Sequence, residues 1–375
     1  MDIKNIRESI EQTLNNFLPV EFNKEWKSLC FGSIPVAVND THIKVLTEPC
    51  HALLSLGGKR WRPVLQVLCT MMVANSDSAR TTNGSRDDCA DALGSGTTYD
   101  AHIAESLALT PLVEFVHTAS LIHDDIEDGA DTRRGKPAAH ITYGLDTALN
   151  AASWLYFTAP TAIEHLDINI EKKNFYYTLF NRELRRLHLG QAMDILWHRN
   201  PDIFPTMAEY QAMVQNKTGT LACLAVSVGI LAGGGTMGQA TQAGEIARGI
   251  GEGFQILDDV QNLTTGNPGK KRGDDIVEGK KSLPVLMHIS ENPQDKEKIA
   301  NCFQKAQKEG IISESVEECI SILEKGNCIK KAFDKGRLLV KEKTQELINM
   351  FESSEPHSDA ANEITSLFDA MLPRI

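Results

Sequence analysis

The sequence predicts an all-α fold carried by one domain, and three observations predict it. Apolar residues recur three or four positions apart along nearly the whole chain. No run alternates convincingly with the two-residue period of a strand. No internal repeat or long linker divides the 375 residues, so a single domain over 1–375 is the simplest account.

Taken in order, Ile3, Ile6, Ile10, Leu14 and Phe17 place a first helix over 3–18. The same periodicity marks helices over 42–56, 61–74, 102–128, 145–165, 172–199, 207–234, 239–263, 281–290, 295–309 and most of 315–372. Pro63 stands near the start of the 61–74 helix, where its missing N–H costs little. Residues 75–100 are rich in Ser, Thr, Asp and Gly with few apolar anchors. They read as a loop insertion, because the helical pattern resumes at once on both sides. A second loop is expected over 264–275, with Gly266, Pro268, Gly269 and Gly273 beside three consecutive basic residues.

Composition narrows the function classes. Acidic residues number 50 against 38 basic, a net charge of −12, which argues against a nucleic-acid surface built on clustered Lys and Arg. A smaller phosphorylated ligand stays open, since a local basic pocket can sit in an acidic protein. The opening MDIKNIRESIEQTLNNF has neither a basic n-region nor an apolar h-region, so no secretory signal is expected. The strongly apolar stretch 221–235 is too short to span a bilayer and reads as a buried helix. Eight scattered cysteines without a CxxC pair give no zinc or redox motif. The expectation is a cytoplasmic protein with reduced thiols.

Chemistry first shows in His123-Asp124-Asp125-Ile126-Glu127-Asp128, which ends the apolar helix 112–122. Helix positions four apart differ by about 40° in direction, so Asp124 and Asp128 share a face one turn apart. Carboxylates this close repel unless a cation lies between them. Magnesium suits the pair, because it takes hard oxygens and completes its shell with phosphates and water. An EF-hand is excluded, since Ile126 stands where such a loop needs an oxygen ligand. Taken alone, an acidic helix end is as often merely solvated.

Phe254-Gln255-Ile256-Leu257-Asp258-Asp259-Val260-Gln261-Asn262 repeats the arrangement: an apolar helix, paired aspartates, and an oxygen ligand one turn later. Two such ends in one chain point to magnesium ions gathered around one diphosphate. Basic groups beside glycines or helix starts would complete such a site. Gly57-Gly58-Lys59-Arg60-Trp61-Arg62-Pro63 sets Lys59 and Arg62 by a flexible turn at a helix N-terminus, where a phosphate is favoured. Arg133 and Arg134 follow the first motif in DTRRGKP, and Lys217 and Thr218 are expected to begin a long apolar helix. Lys270 and Lys280 follow the second motif. Singly, each is more often plain surface charge. Their joint placement around two aspartate motifs favours the functional reading.

These residues resemble the polyprenyl synthetase family, the trans-isoprenyl diphosphate synthases. The resemblance spans roughly residues 50 to 290 and runs in family order: GGKRWRP, EFVHTASLIHDDIED, DTRRGKP, GQAMD, NKTGT, GFQILDD and GKKRGDDIVEGKKSLP. It implies a single orthogonal helical bundle around a deep central cavity, usually as a homodimer. It implies that Asp124, Asp128 and Asp258 ligate a cluster of three magnesium ions on an allylic diphosphate, supported by Asp125 and Asp259. Arg133, Lys217 and Lys270 would contact that diphosphate, with Lys280 nearby. Lys59, Arg62, His117 and Arg134 would hold isopentenyl diphosphate, and Thr218, Gln191 and Gln255 would line the reacting carbons.

The chain departs from the family pattern in three places, one of them an insertion at 75–100 longer than usual. Asn262 replaces the last aspartate of the second motif, so an altered metal contact is expected there. ALNAASWLYF stands where the family often carries a Gly-Asp pair. The resemblance also bears on product length, because the product tunnel runs beside the first-motif helix. Its usual floor, four and five positions before Asp124, is Ser120 and Ala119, and Val116 lies a turn deeper. All are small or modest, so twenty carbons or more are expected, with Phe115, Tyr156 and Phe157 as candidate deeper plugs. A terpene cyclase of similar fold is the nearest rival, but it needs no second diphosphate site. A non-catalytic partner subunit would be expected to lose its metal ligands.

Overall fold

The computed structural model describes residues 2–81, 98–266, 271–352 and 358–373. It is built of helices: α1 Ile3–Phe17, α2 Lys24–Phe31, α3 Asp40–Ser55, α4 Trp61–Thr81, α5 Thr98–Ala108 and α6 Pro111–Glu127. Strands β1 Thr132–Arg133 and β2 Lys136–Pro137 precede α7 Ala139–Tyr143, α8 Leu145–Thr158, α9 Thr161–Glu164 and α10 Ile170–His198. Then come α11 Met207–Lys217, α12 Gly219–Ala232, α13 Met237–Thr264, α14 Asp274–Glu278, α15 Leu283–Glu291, α16 Lys296–Glu309, α17 Glu314–Lys325, α18 Cys328–Asn349 and α19 Asp359–Met371. Among the described residues, no helix is long and apolar enough to cross a membrane.

The chain divides into two compact units. The first comprises Met1–Arg182, Cys223–Glu245 and Glu346–Leu367, and the second comprises Glu183–Ala222, Ile246–Gln345 and Phe368–Ile375. In the first unit α6 packs on α8 and α3, and α4 packs on α5 and α1. Val113, Phe115, Val116, Ala119 and Ile122 of α6 are fully or almost fully buried, as are Ile6, Ile10 and Leu14 of α1. Burial of each such aliphatic or aromatic side chain is worth about 1.5–3 kcal/mol. In the second unit α16 packs on α17 and α14, around Phe303, Cys319, Ile320 and Leu323.

Where the helices differ from the sequence expectation, local chemistry explains most of it. The expected helix 102–128 is two helices, because Pro111 at the start of α6 has no N–H to continue α5. The expected helix 207–234 is interrupted at Thr218, so Lys217 ends α11 rather than opening a helix. The short helix α2 was not expected; Asn23 caps it by accepting from Trp26 N at 2.7 Å. Of the loop expected over 75–100, both edges are helical, since α4 runs to Thr81 and α5 starts at Thr98. Residues 82–97 lie outside the described residues.

Helix crossings in the first unit are set by missing side chains. A Cβ on Gly229 of α12 would stand 2.2 Å from the Gln66 carbonyl of α4, and one on Gly233 would stand 2.7 Å from the Thr70 carbonyl. Thr70 Oγ1 uses the close approach, donating to Gly229 O at 2.9 Å. Gly229→Ala is therefore expected to force the two helices apart and to destabilise the protein by about 2 kcal/mol. Urea denaturation read by far-UV circular dichroism would check this.

Candidate active site

The first acidic motif closes α6. Consecutive helix residues point about 100° apart, so both aspartates of a pair cannot face the same way. Asp124 and Asp128 are half-buried near the surface, whereas the Asp125 side chain is 1% exposed. Asp125 accepts from Arg133 Nε at 2.7 Å and from a terminal nitrogen of the same guanidinium, while Asp124 lies 3.7 Å from that guanidinium. Burial raises the Asp125 pKa, and Arg133 opposes the rise. Its second oxygen has no hydrogen-bond partner among the described residues.

Arg133 is aimed by a hairpin that the helical pattern did not announce. Thr132 pairs with Pro137 and Arg133 with Lys136. The two residues between the strands, Arg134 and Gly135, have φ of 52° and 75°. Positive φ at both central positions is the requirement of a two-residue type I′ turn. The turn sends Arg134 back to the glycine turn before α4, where it donates to Gly57 O. Gly58 makes room, because a Cβ there would stand 3.3 Å from the Arg134 guanidinium.

These contacts gather a basic cluster. Lys59 is exposed at the turn, and Arg62 is half-buried with its guanidinium 4.6 Å from the Trp61 ring centroid. Burial lowers the Arg62 pKa to about 10; the Glu114 charge opposes the shift, and Arg134 adds to it. His117, seven residues before Asp124 and so on the same face of α6, is held well below the usual imidazole range. Burial is the first cause, followed by the charges of Arg62, Arg134, Arg133 and Arg60. The imidazole is therefore neutral at pH 7 and can donate one hydrogen bond without adding charge.

Along α6 from this cluster, Ala119, Val116 and Phe115 are buried, and Ser120 spends its hydroxyl on His117 O at 2.8 Å. Tyr156 is buried with its ring 5.4 Å from that of His123. Phe157 is 78% exposed on α8 and is a surface residue of this unit, not an interior plug.

The second unit repeats the pattern of one outward and one inward aspartate. Asp258 is exposed near the end of α13. Asp259 is buried, accepting from Tyr210 Oη at 2.6 Å, Gln255 Nε2 at 3.0 Å and Leu283 N at 3.2 Å. Burial raises its pKa to about 6 against the pull of those donors. Thr218 Oγ1 donates to Gln255 Oε1 at 2.7 Å, which extends the network to the start of α12. Lys217 Nζ meets Asp194 Oδ2 at 2.7 Å, and Gly190 admits the α11 backbone, since a Cβ there would lie 2.3 Å from Lys217 N. Gln191 is half-buried beside Gly190 on α10.

Asn262 differs from expectation. Its Oδ1 accepts from Asp275 N at 3.2 Å and its carbonyl from Gly273 N at 2.9 Å, so a fully buried Asn262 braces α14. Its oxygen is already engaged in the fold. Lys280 pairs with Glu278 at 2.6 Å, and Lys270 lies outside the described residues. Three residues missed by sequence reasoning emerge. Asp194 stood within GQAMD without being singled out, Arg60 within GGKRWRP, and Tyr210 looked only like one more apolar position of a helix. Lys281 is a fourth surprise: it is buried, its Nζ donates to Gly279 O at 2.8 Å, and that nitrogen lies 4.2 Å from the Phe303 ring centroid.

The sequence model for polyprenyl synthetases matches residues 43–323. The chain belongs to the polyprenyl synthetase family. It is 33% identical over 273 residues to a short chain isoprenyl diphosphate synthase of Methanocaldococcus jannaschii, covering 72% of this chain and 74% of that one. It is 38% identical over 188 residues to a geranylgeranyl pyrophosphate synthase of Macrophomina phaseolina, covering 48% of this chain and 54% of the relative. The chain thus spans about half the length of the fungal geranylgeranyl pyrophosphate synthases it matches. The crystal structure of geranylgeranyl pyrophosphate synthetase from Pyrococcus horikoshii superposes with a TM-score of 0.74 at 26% identity, covering 100% of this chain and 97% of that one.

Two expected outcomes test the second unit. Tyr210→Phe removes a donor from a buried carboxylate and should destabilise the fold by about 1–3 kcal/mol in thermal or urea melts. For Lys281, burial lowers the folded-state pKa from 10.5 to about 8. Between those values the unfolded chain holds a proton that the folded chain lacks, so stability rises with pH. Any stability advantage of Lys281→Met over the parent should therefore shrink as melts are repeated from pH 8 towards pH 10.

Proposed function

We propose that this chain is a trans-prenyl diphosphate synthase that joins isopentenyl diphosphate to an allylic diphosphate head to tail, with a product of twenty carbons or longer. The observation that carries the reading is the basic cluster of Lys59, Arg62, His117 and Arg134. Burial, followed by repulsion from the charges of neighbouring arginines, lowers the proton affinity of Arg62, Arg134 and His117, and the imidazole is neutral. A multiply charged anion relieves that repulsion, and guanidinium groups grip phosphate in two-pronged fashion. A cyclase, which ionises a single diphosphate, has no use for such a second anion site.

The allylic partner would be held through Asp124, Asp128 and Asp258, with Arg133, Lys217, Lys270 and Lys280 contributing positive charge. The donor set is hard oxygen in ones and twos. Among the described residues no group of three or more His, Cys, Asp or Glu is arranged to hold a metal. Hard carboxylate oxygens suit magnesium, which takes one or two carboxylates and shares the ligand's phosphates. Bound there, magnesium would neutralise charge on the departing diphosphate. Arg133 and Lys217, each oriented by a buried carboxylate, would stabilise the same leaving charge without having to reorganise. Thr218, Gln191 and Gln255 would border the reacting carbons. The pair of Thr218 and Gln255 is already bonded to itself and to Asp259, which keeps its polar atoms from quenching a cation. As the allylic C–O bond to diphosphate breaks, the isopentenyl double bond attacks the allylic carbon to form the new C–C bond, and the released diphosphate takes up the proton that is then lost.

Product length and assembly belong to the same reading. The small Ala119 and Ser120 leave the α6 side of the growing chain unobstructed, in line with the names of the fungal and Pyrococcus relatives. Leu145, Leu149 and Phe157 stand four and eight apart on α8 and, with Ile141 of α7, are 48–78% exposed, a set that a second copy of this chain would cover.

Purified protein should convert isopentenyl diphosphate and magnesium, with allylic primers of five to twenty carbons, into a ladder ending at one length by mass spectrometry. Chelator and Asp124→Ala should each abolish it. Ala119→Phe should shorten the final product by at least one isoprene unit. Cyclic hydrocarbon from a single allylic diphosphate, with isopentenyl diphosphate untouched, would sink the proposal.

A further inference from the structure

Arg60 separates Lys59 from Arg62 and adopts a left-handed backbone, φ 48°, that a residue with a side chain seldom takes. Such a conformation costs about 1–3 kcal/mol and persists only where surroundings over-determine it. Here they do. The Arg60 side chain is 2% exposed and spends its whole fork within the protein. Nε donates to Glu11 Oε1 at 2.7 Å, Nη1 to Glu114 Oε1 at 2.5 Å, and Nη2 to Leu54 O at 2.7 Å and Glu11 Oε2 at 3.3 Å. Its own carbonyl accepts from Val64 N at 3.0 Å and opens α4.

One residue therefore fastens four helices: its guanidinium holds α1 through Glu11, the end of α3 through Leu54 and α6 through Glu114, and its carbonyl holds α4. Burial alone would lower its pKa, yet the two carboxylates outweigh burial and raise it, so the charge is permanent. Arg60 consequently turns its side chain into the protein, and Lys59 and Arg62 are the basic groups of the turn left to face a ligand.

We propose that Arg60 is a positioning residue for isopentenyl diphosphate, and that Glu11 makes α1 a working part of that site. The proposal rests on reading Lys59 and Arg62 as ligands of isopentenyl diphosphate. Glu11 lies outside the stretch that matches the family, residues 43–323. The strut is thus contributed by a part of the chain that the family match does not reach. Glu114 holds Arg60 from a fully buried position, whereas the Glu11 side chain is 42% exposed. Glu11 can be removed without leaving a buried charge unpaired, so its loss should loosen the turn and spare the fold.

Steady-state kinetics in magnesium, with each substrate varied in turn, separate positioning from simple instability. Glu11→Ala should raise KM for isopentenyl diphosphate roughly tenfold, since small misplacement of a charged group is costly. KM for the allylic diphosphate, kcat and melting temperature should stay near the parent values. Glu11→Gln, which keeps an acceptor for the guanidinium, should recover part of the loss. Glu8→Ala, an exposed position one turn away on α1, should change nothing. A folded Glu11→Ala protein with unchanged KM for isopentenyl diphosphate would overturn the strut, as would a uniform loss of kcat and both KM values together with melting temperature. Parent protein that consumes no isopentenyl diphosphate would instead overturn the functional reading and take this proposal with it.

Discussion

A carboxylate withdrawn from water must be answered by donors, and that requirement organises most of what surrounds the two acidic motifs. Asp125 is answered by Arg133, Asp259 by Tyr210, Gln255 and a backbone N–H, and Glu114 by Arg60. None of these carboxylates faces outward, yet each fixes a group that stands next to an outward-facing one. The helix dictates this division. With about 100° between successive positions, an Asp-Asp pair sends one carboxylate to the surface and sinks the other. The sunk partner is an anchor, and its neighbour inherits a fixed direction.

Charge is handled with the same economy. Burial, and after it the cations near His117, lower its proton affinity so that the ring is neutral at pH 7, which gives the cluster a donor that does not add to the repulsion. Arg133 is opposite in character: burial would weaken it, but Asp125 more than compensates and keeps it charged. Two arginines adjacent in sequence, 133 and 134, thus have their pKa values moved in opposite directions: the buried carboxylate of Asp125 outweighs burial for Arg133, whereas burial and the charges of Arg60 and Arg133 prevail for Arg134.

Periodicity made the helices legible, because burial of one face repeats every three to four residues whatever the tertiary context. It failed where the backbone was governed by a single residue. Pro111 cut one expected helix in two, and an unannounced I′ turn at Arg134-Gly135 built the hairpin that periodicity had excluded. The acidic and basic motifs were legible as chemistry, but not as geometry. The spacing put Asp124 on one face with Asp128, but it did not show that Asp125 is sunk against Arg133. Asn262 looked like a weakened metal ligand and is a buried brace for α14. Asp194 and Tyr210 were invisible as partners because the residues they hold, Lys217 and Asp259, are 23 and 49 positions away.

The left-handed Arg134 has an implication for anyone seeking a hardier version of this protein. Glycine relaxes such a backbone, and a selection for heat resistance alone would favour it there, as at other strained sites. The guanidinium that ties the hairpin to Gly57 would go with the strain. On the proposed reading of Arg134 as a diphosphate ligand, robustness and grip on that ligand are set against each other at one dihedral angle, so the most durable descendants of this sequence need not be the most competent ones.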